Sequence, residues 1–394
     1  MKQNILRVEE KRLHSSYNTI QPSLFENQIK FDNYDYLNTQ IITYIGNKRK
    51  LIPFISKGFE YVKNKLSKDK ITILDLFSGT GIVSRMAKQH ASFVITNDLE
   101  NYSYFANKCY MTNKNDFDST KFDKLFNDVK FQVQNNLTPG FISELYAPKD
   151  ENNITNNDRV FYTRKNAIYL DTICNVIKNI DIKWRPYFLG PLLSQASTNV
   201  NTSGMFKVFH KNKQGVGQYG GAAKNCLTRI CKEINIIKPV LSNFECGYEV
   251  YQEDANNLVN SVQDVDVAYL DPPYNQHPYG SNYFMLNILC NYKKPTDMSR
   301  ISGIPKGWNR SLYNKRRHAD KALFDVVEKC SAKFVLISYN SEGFISYDQF
   351  LTGLKDIGRV SVMDTEYNTF RGCRNLHNRD IHVTEFLYLV DKRG

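Results

Sequence analysis

No stretch of the chain approaches the roughly 18 consecutive apolar residues that a membrane-spanning helix requires. Residues Met1 to Glu10 also lack the apolar core and small-residue cleavage pattern of a secretory leader. Together these absences predict an intracellular, cytoplasmic protein without membrane contact. The eight cysteines include no Cys-x-x-Cys pair, and only Cys226 and Cys231 lie close together, so neither a disulfide framework nor a zinc site is expected, and no metal. Acidic residues are outnumbered, 40 against 52 basic ones, which leaves a net charge of +12. A polyanionic partner would profit from that charge through phosphate attraction and counterion release, although a merely basic surface has the same composition. Internal repeats and low-complexity tracts are absent as well. A hydrophobic fraction of 41% over 394 residues is enough to bury a sizeable core.

Short β-branched, turn-bounded runs at Ile71 to Leu76, Phe93 to Thr96, Val265 to Leu270 and Phe334 to Ser338 predict buried parallel strands. Helical periodicity intervenes at Gly81 to Gln89, Tyr102 to Met111 and Ala319 to Cys330. This alternation predicts a doubly wound, Rossmann-like α/β sheet with its ligand pocket at the carboxyl ends of the strands. Between Thr112 and Pro239 the pattern changes to helical stretches, Asp118 to Gln134 and Asp158 to Ile177, followed by a polar, Gly-rich passage. We therefore expect a core of residues 33–111 and 240–394, an inserted lobe of residues 112–239, and an N-terminal extension, 1–32, to which no role is assigned. From Asn201 to Lys232 six basic residues occur with no acid, and Phe206, Phe209 and Tyr219 are interleaved. Such a mixture suits a nucleic-acid surface. It also suits a solvated loop whose aromatics pack locally.

Three motifs carry chemistry. In Ile73-Leu74-Asp75-Leu76-Phe77-Ser78-Gly79-Thr80-Gly81 a strand runs into a small-residue turn and then a helix. Gly79 and Gly81 permit close approach of a ligand, and the helix start offers unpaired N–H groups. Next, Phe93 to Asp98 ends in an acid suited to ribose hydroxyls, with Glu100 in reserve; capping of the following helix would use the same residue types. The third is Asp271-Pro272-Pro273-Tyr274, after the strand Val267 to Leu270. An aromatic exocyclic amine is a poor nucleophile because its lone pair is delocalised, so a site that activates it must accept its N–H groups. Asp271 and the Pro272 carbonyl are two such acceptors, Pro272 and Pro273 stiffen the loop, and Tyr274 offers a face for a flipped base. An isolated tetrapeptide of this kind would also suit a rigid loop after a core strand. Gly215-Val216-Gly217-Gln218-Tyr219-Gly220 has the dinucleotide-fold spelling but follows no apolar strand, so we assign it to a loop, either approaching a phosphate or plain surface.

Asp271-Pro272-Pro273-Tyr274 together with Phe77-Ser78-Gly79-Thr80-Gly81 resembles the D12-class adenine-N6 DNA methyltransferases of restriction-modification systems, of the FokI and NlaIII type. Tyr44 to Leu51, Asn275 to Leu286, Asn201 to Lys207, Ser338 to Gly343 and Arg371 to Val390 are similar to the same family, so the likeness spans most of the chain. It implies a methyltransferase fold, S-adenosyl-L-methionine as cofactor, double-stranded DNA as partner, and a companion restriction endonuclease acting on the same site. It implies cofactor contacts from Tyr44, Gly46, Lys48, Asp75, Phe77, Ser78, Gly79, Thr80, Gly81, Asp98, Asp254 and Asp271, and catalysis by Asp271, Pro272, Pro273 and Tyr274. Asp254 would equally cap a helix, and Lys48 would equally be a solvated lysine in the run Lys48-Arg49-Lys50. The motif order matches the arrangement in which the inserted lobe reads the target. DNA contacts are then expected from Asn201, Ser203, Lys207, Lys211 and Lys213 in the lobe, and from Tyr279 and Asn282 after the tetrapeptide. Two acid-free basic stretches add Arg310, Arg316 and Arg317 near Trp308, and Arg371 and Arg374 in the tail. The competing readings are cytosine-N4 methylation, whose enzymes more often carry Ser at the position of Asp271, RNA adenine methylation, and sequence-specific DNA binding without chemistry.

Overall fold

The computed structural model describes residues 32–368 and 382–393. Its centre is a seven-stranded sheet built from β1 (Ile71–Asp75), β2 (Ala91–Asn97), β3 (Gly247–Tyr251), β4 (Val267–Leu270), β5 (Phe334–Asn340), β6 (Arg359–Asn368) and β7 (His382–Asp391). The order is β3-β2-β1-β4-β5-β7-β6, with the first five strands parallel and β7 antiparallel between β5 and β6. The central strands read as unbroken apolar runs because both faces are covered. Ile71 and Ile73, Val267 and Tyr269, and Phe334 and Leu336 enter one core, while Leu74, Ala268, Leu270, Val335 and Ile337 enter the other. Side chains alternate across the sheet with period two, so each strand supplies both cores.

Around the sheet lie α1 (Tyr34–Asn38), α2 (Ile52–Leu66), α3 (Ile82–Ala87) and α4 (Asn101–Met111). The inserted region adds α5 (Ser119–Asn135), α6 (Phe141–Tyr146), α7 (Arg164–Asn179), α8 (Arg185–Thr198) and the short α9 (Leu227–Ile230). Asp118 caps α5 as its oxygen accepts from Lys121 N–H, and Thr163 caps α7, which begins later than the periodicity from Asp158 predicts. The inserted helices share the core of the sheet. A Cβ on Gly190 of α8 would sit 2.8 Å from Cys109 Sγ of α4, so only glycine allows the two helices this approach. On the remaining face and ends are α10 (Ala255–Leu258), α11 (Tyr279–Asn282), α12 (Phe284–Asn291), α13 (Ala319–Lys329) and α14 (Tyr347–Leu354). No helix among the described residues is long and apolar enough to cross a membrane.

β1 connects towards β2 on one side and β4 returns on the other, so a crevice opens at their carboxyl ends, where the direction of winding reverses. Asp75 is in register with Tyr269, and Leu76 N–H donates to Tyr269 O at 3.1 Å. Two motifs almost two hundred residues apart in sequence thereby become neighbours.

Candidate active site

A cavity of about 900 Å³ opens over this crevice. Of the twelve residues expected to contact a cofactor, eleven line it: Tyr44, Gly46, Lys48, Asp75, Phe77, Ser78, Gly79, Thr80, Asp98, Asp254 and Asp271. The twelfth, Gly81, lies behind the wall as the N-cap of α3, with φ +75° and a Cβ position only 2.8 Å from Asn107 Oδ1. The turn between them is pinned at both ends: Ser78 N–H donates to Asn97 O, and Gly81 N–H to Ser78 O. Asn97, unremarked in the sequence, is the joint of three strand ends. Its amide donates to Leu76 O and Glu253 O, and its oxygen accepts from Glu253 N–H.

Acid groups crowd this cavity. Asp75 is fully buried; one carboxylate oxygen accepts from Ser84 Oγ at 2.5 Å and the other has no partner among the described residues. Burial pushes its pKa up to about 7, against the Ser84 hydrogen bond and with help from the charges of Asp271 and Asp98. Asp98 accepts from the N–H groups of Gly79 and Glu100, both at 2.8 Å, and burial raises it to about 6. Glu100 accepts from Asn287 Nδ2 at 2.6 Å, and burial raises it to about 7. Asp254 does both of the things expected of it: it lines the cavity and caps α10 through Asn256 N–H.

Lys48 is the opposite of a solvated lysine. Its neighbours Arg49 and Lys50 are exposed, but Lys48 is 4% exposed, its ammonium 2.8 Å from Asp271 Oδ1 and 3.1 Å from Glu385 Oε1. Burial opposes its charge, yet Asp271 and Glu385 hold its pKa well above the ordinary lysine value. Asp271 itself is raised by burial to about 6, with Lys48 pulling it down and Glu385 pushing it up. Pro273 lines the cavity beside it, Pro272 is buried, and the half-buried Tyr274 ring meets Tyr339 edge-on at 6.2 Å.

Tyr279, expected at DNA, is part of the cavity wall. Its ring stacks on Tyr44 at 4.7 Å, Tyr44 stacks on Tyr283 at 4.5 Å, and the hydroxyls of Tyr279 and Tyr283 bond the backbone of Ile45. This stack fixes the turn around Gly46. Asn201 and Asn282, also expected at DNA, are both buried. Asn201 donates to Val160 O and Gln218 O and accepts from Gly220 N–H, which ties the loop after α8 to the core and leaves the side chain no reach to a groove. Phe206 and Phe209 likewise pack inward. Ser203, Lys207 and Lys213 are exposed, and Lys211 lies half-buried over the Phe209 ring. Gly215 is a hairpin position between paired Lys211 and Gly217, outside any strand-turn-helix unit.

The basic stretch from Arg300 to His318 has two faces. Arg310, Arg316 and Arg317 are exposed, Arg310 stacking on Trp308 at 4.3 Å. Asn309, Ser311, Tyr313 and Asn314 instead line the cavity, and Tyr313 meets Phe77 edge-on at 5.0 Å while its hydroxyl donates to Asn256. Sequence reasoning missed Tyr313 because the arginines around it dominated the segment. Arg371 and Arg374 lie outside the described residues.

A family model matches most of this chain, from before the glycine turn to beyond the Asp-Pro-Pro-Tyr loop. That family, described as D12 class N6 adenine-specific DNA methyltransferase, matches residues 44–349. The chain belongs to it. The activity of the family, methylation of adenine N6 in DNA, is therefore the activity of this member, and the methyl donor is the one its class of enzyme uses. Among curated relatives, the type II methyltransferase M.NlaIII of Neisseria lactamica is 27% identical over 89% of this chain and 99% of its own length. M.CviAII of Paramecium bursaria Chlorella virus 1 is 26% identical over 89% and 98%. M.FokI of Planomicrobium okeanokoites is 25% identical over 89% of this chain but 52% of its own, so this D12 chain corresponds to about half of it.

Proposed function

We propose that this enzyme methylates adenine within a short recognition sequence by holding the flipped base between Tyr274 and the Asp271-Pro272 edge of the crevice. The observation that carries the reading is the placement of Asp271 beside the cavity that begins at the glycine turn, with Asp75 ending β1 and Asp271 directly following its neighbour β4. S-adenosylmethionine fits that cavity on the chemistry of its donors. The unpartnered, fully buried Asp75 oxygen suits a cationic amine, Gly79 lets a ligand approach the backbone, and Asp98 and Glu100 suit ribose hydroxyls. Asp254 suits an adenine amine, and Phe77 and Tyr313 supply apolar walls. When bound there, the cofactor supplies an electrophilic methyl group. The chain's own contribution is orientation and electrostatics: Asp271 and the Pro272 carbonyl accept the N–H groups of the base, and the prolines hold both acceptors still. Lys48 ties one Asp271 oxygen, which leaves the other for the substrate.

The lobe of residues 112–239 is then the target-reading part, with Ser203, Lys207, Lys211 and Lys213 near the phosphates. Arg310, Arg316 and Arg317, exposed on the strap whose Asn309, Ser311 and Asn314 line the cavity, would supply further phosphate contacts. The likeness to type II methyltransferases supports a role in protecting DNA from a companion restriction endonuclease. Transfer of tritiated methyl groups to unmethylated genomic DNA tests the proposal, with wild type compared against Asp271→Ala and the product nucleoside identified by mass spectrometry. N6-methyladenine confined to the wild type, at one short sequence, is expected. An active Asp271→Ala variant, or methylation without sequence preference, would sink it.

A further inference from the structure

Beyond residue 349, where the family match ends, the chain returns to the site once more. β7 passes between β5 and β6, and the register places Glu385 opposite Asn340 at the end of β5 nearest the crevice. The Glu385 side chain is completely buried. One oxygen accepts from Ser338 Oγ at 2.6 Å and from Lys48 Nζ at 3.1 Å, and the other has no partner among the described residues. A buried carboxylate that leaves half of its hydrogen-bonding capacity unused is costly, and packing alone would be better served by an apolar residue.

We propose that Glu385 is a positioning residue for methyl transfer: by sharing the Lys48 ammonium, it keeps Asp271 aimed at the target amine within a cluster whose net charge stays negative. The inference rests on the role assigned above to Asp271. The charge count gives the reason. Lys48 alone against Asp271 would form a neutral pair and cancel the field at the amine. With Glu385 added, two carboxylates face one ammonium, and the cluster keeps a net charge of about −1. As the amine nitrogen takes the methyl group, its lone pair becomes the new N–C bond while the bond from that methyl to the donor's sulfonium sulfur breaks and leaves its electron pair on sulfur; the nitrogen then carries positive charge until one of its protons leaves to Asp271 or to water. A net negative cluster beside it favours that charge and keeps Asp271 basic enough to accept the proton. The groups facing Asp271 are Lys48 from the N-terminal turn, Glu385 from β7, Tyr269 from β4, Tyr274 from its own loop, Tyr279 from α11 and Asp75 from β1. Of these, only Lys48 is cationic.

Glu385→Gln keeps the shape and an oxygen for Ser338 and Lys48 but removes the charge. The expected result is a kcat lower by about tenfold or more. Affinity for S-adenosylhomocysteine by calorimetry and for DNA by anisotropy should stay within about twofold of wild type, as a remote charge change predicts. The acidic limb of the kcat profile should move to lower pH, because Asp271 loses the neighbour that raised it. A merely structural role would instead lower the melting temperature and leave the limb in place. Ser338→Ala, which removes only the hydroxyl holding Glu385, should shift the limb in the same sense by less, and it serves if the glutamine variant does not fold. A wild-type kcat and pH profile in Glu385→Gln beside an inactive Asp271→Ala would overturn this inference alone; an active Asp271→Ala would overturn the reading beneath it.

Discussion

Replacing Asp75 with asparagine removes a charge from the deepest part of the cavity while preserving the shape and an oxygen for Ser84. Its second oxygen has no partner among the described residues, so a cationic amine placed there would gain a hydrogen bond to a charged group in a buried site. Such a bond is worth about 1.5–3 kcal/mol, so Asp75→Asn should weaken S-adenosylhomocysteine binding by about 10- to 150-fold at pH 8. The pH dependence sharpens the test. Burial raises the Asp75 pKa to about 7, with Ser84 opposing and Asp271 and Asp98 adding repulsion. Wild-type affinity should therefore fall as pH drops below about 7, and the asparagine variant should lose this component. Asp98 and Asp271, near 6, and Glu100, near 7, face the same cavity, so the difference between the two curves isolates Asp75.

The same shift carries a stability prediction of opposite sense. A carboxyl whose pKa is raised on folding contributes stability that is full below its unfolded value near 4 and is lost as pH rises through its folded value near 7. A rise of this size corresponds to about 4 kcal/mol on that linkage scale. Without ligand, Asp75→Asn should thus gain in melting temperature relative to wild type between pH 6 and pH 8. Isothermal titration from pH 6 to 8, with thermal melts of the ligand-free protein, measures both. A wild-type Kd that is flat over this range, or an asparagine variant that binds like wild type, refutes the assignment of Asp75.

Arg85 predicts a pure stability effect. It is 1% exposed, donates to the carbonyls of Tyr36, Thr39 and Gln40, and lies 3.4 Å from the centre of the Tyr110 ring. Arg85→Met strands the buried Tyr36 carbonyl and deletes the bonds to Thr39 and Gln40 nearer the surface, and should cost about 2–3 kcal/mol in urea denaturation, so a loss under about 1 kcal/mol would contradict the role. At the DNA face, Lys207→Ala with Lys213→Ala should weaken binding and reduce the slope of log K against log salt by up to about 2, read by fluorescence anisotropy. Asn201→Ala should leave that slope unchanged while lowering the melting temperature, and the reverse pattern would restore it as a DNA contact.

What was legible in the sequence follows from where the physics is local. β1, β4 and β5 announce themselves because a strand covered on both faces must be apolar throughout, and the glycine turn does so because Gly81 occupies a φ that other residues resist. The acids of the cavity were visible as acids after strands. Their crowding was not, since it depends on sheet order. Lys48 shows the limit clearly: three consecutive basic residues look alike in sequence, yet a short helical turn exposes two and buries the one that meets Asp271 and Glu385. Asn201 and Phe206 show the converse, where a polar, basic stretch read as surface hides the residues that anchor it. Composition reports the average environment of a segment, and anchoring residues are the exceptions to that average.

The segment from Arg300 to His318 makes the same point with a functional consequence. Read as composition it is a basic clamp, and its arginines are indeed exposed. Its interleaved residues nevertheless close the cavity, with Asn309 Nδ2 donating to Leu99 O and Asn314 Nδ2 to Asn275 O. One side of a single strap thus contacts the strand ends that form the cavity wall, and the other presents cations outward. Because Asn275 directly follows the Asp-Pro-Pro-Tyr loop, the strap also holds that loop from its carboxyl side. A perturbation at Tyr313 or Asn314 therefore reaches the geometry of Asp271 through covalent and hydrogen-bonded links, whereas one at Arg316 acts through its charge and through the Phe344 ring beneath it, whose backbone N–H donates to Tyr274 O.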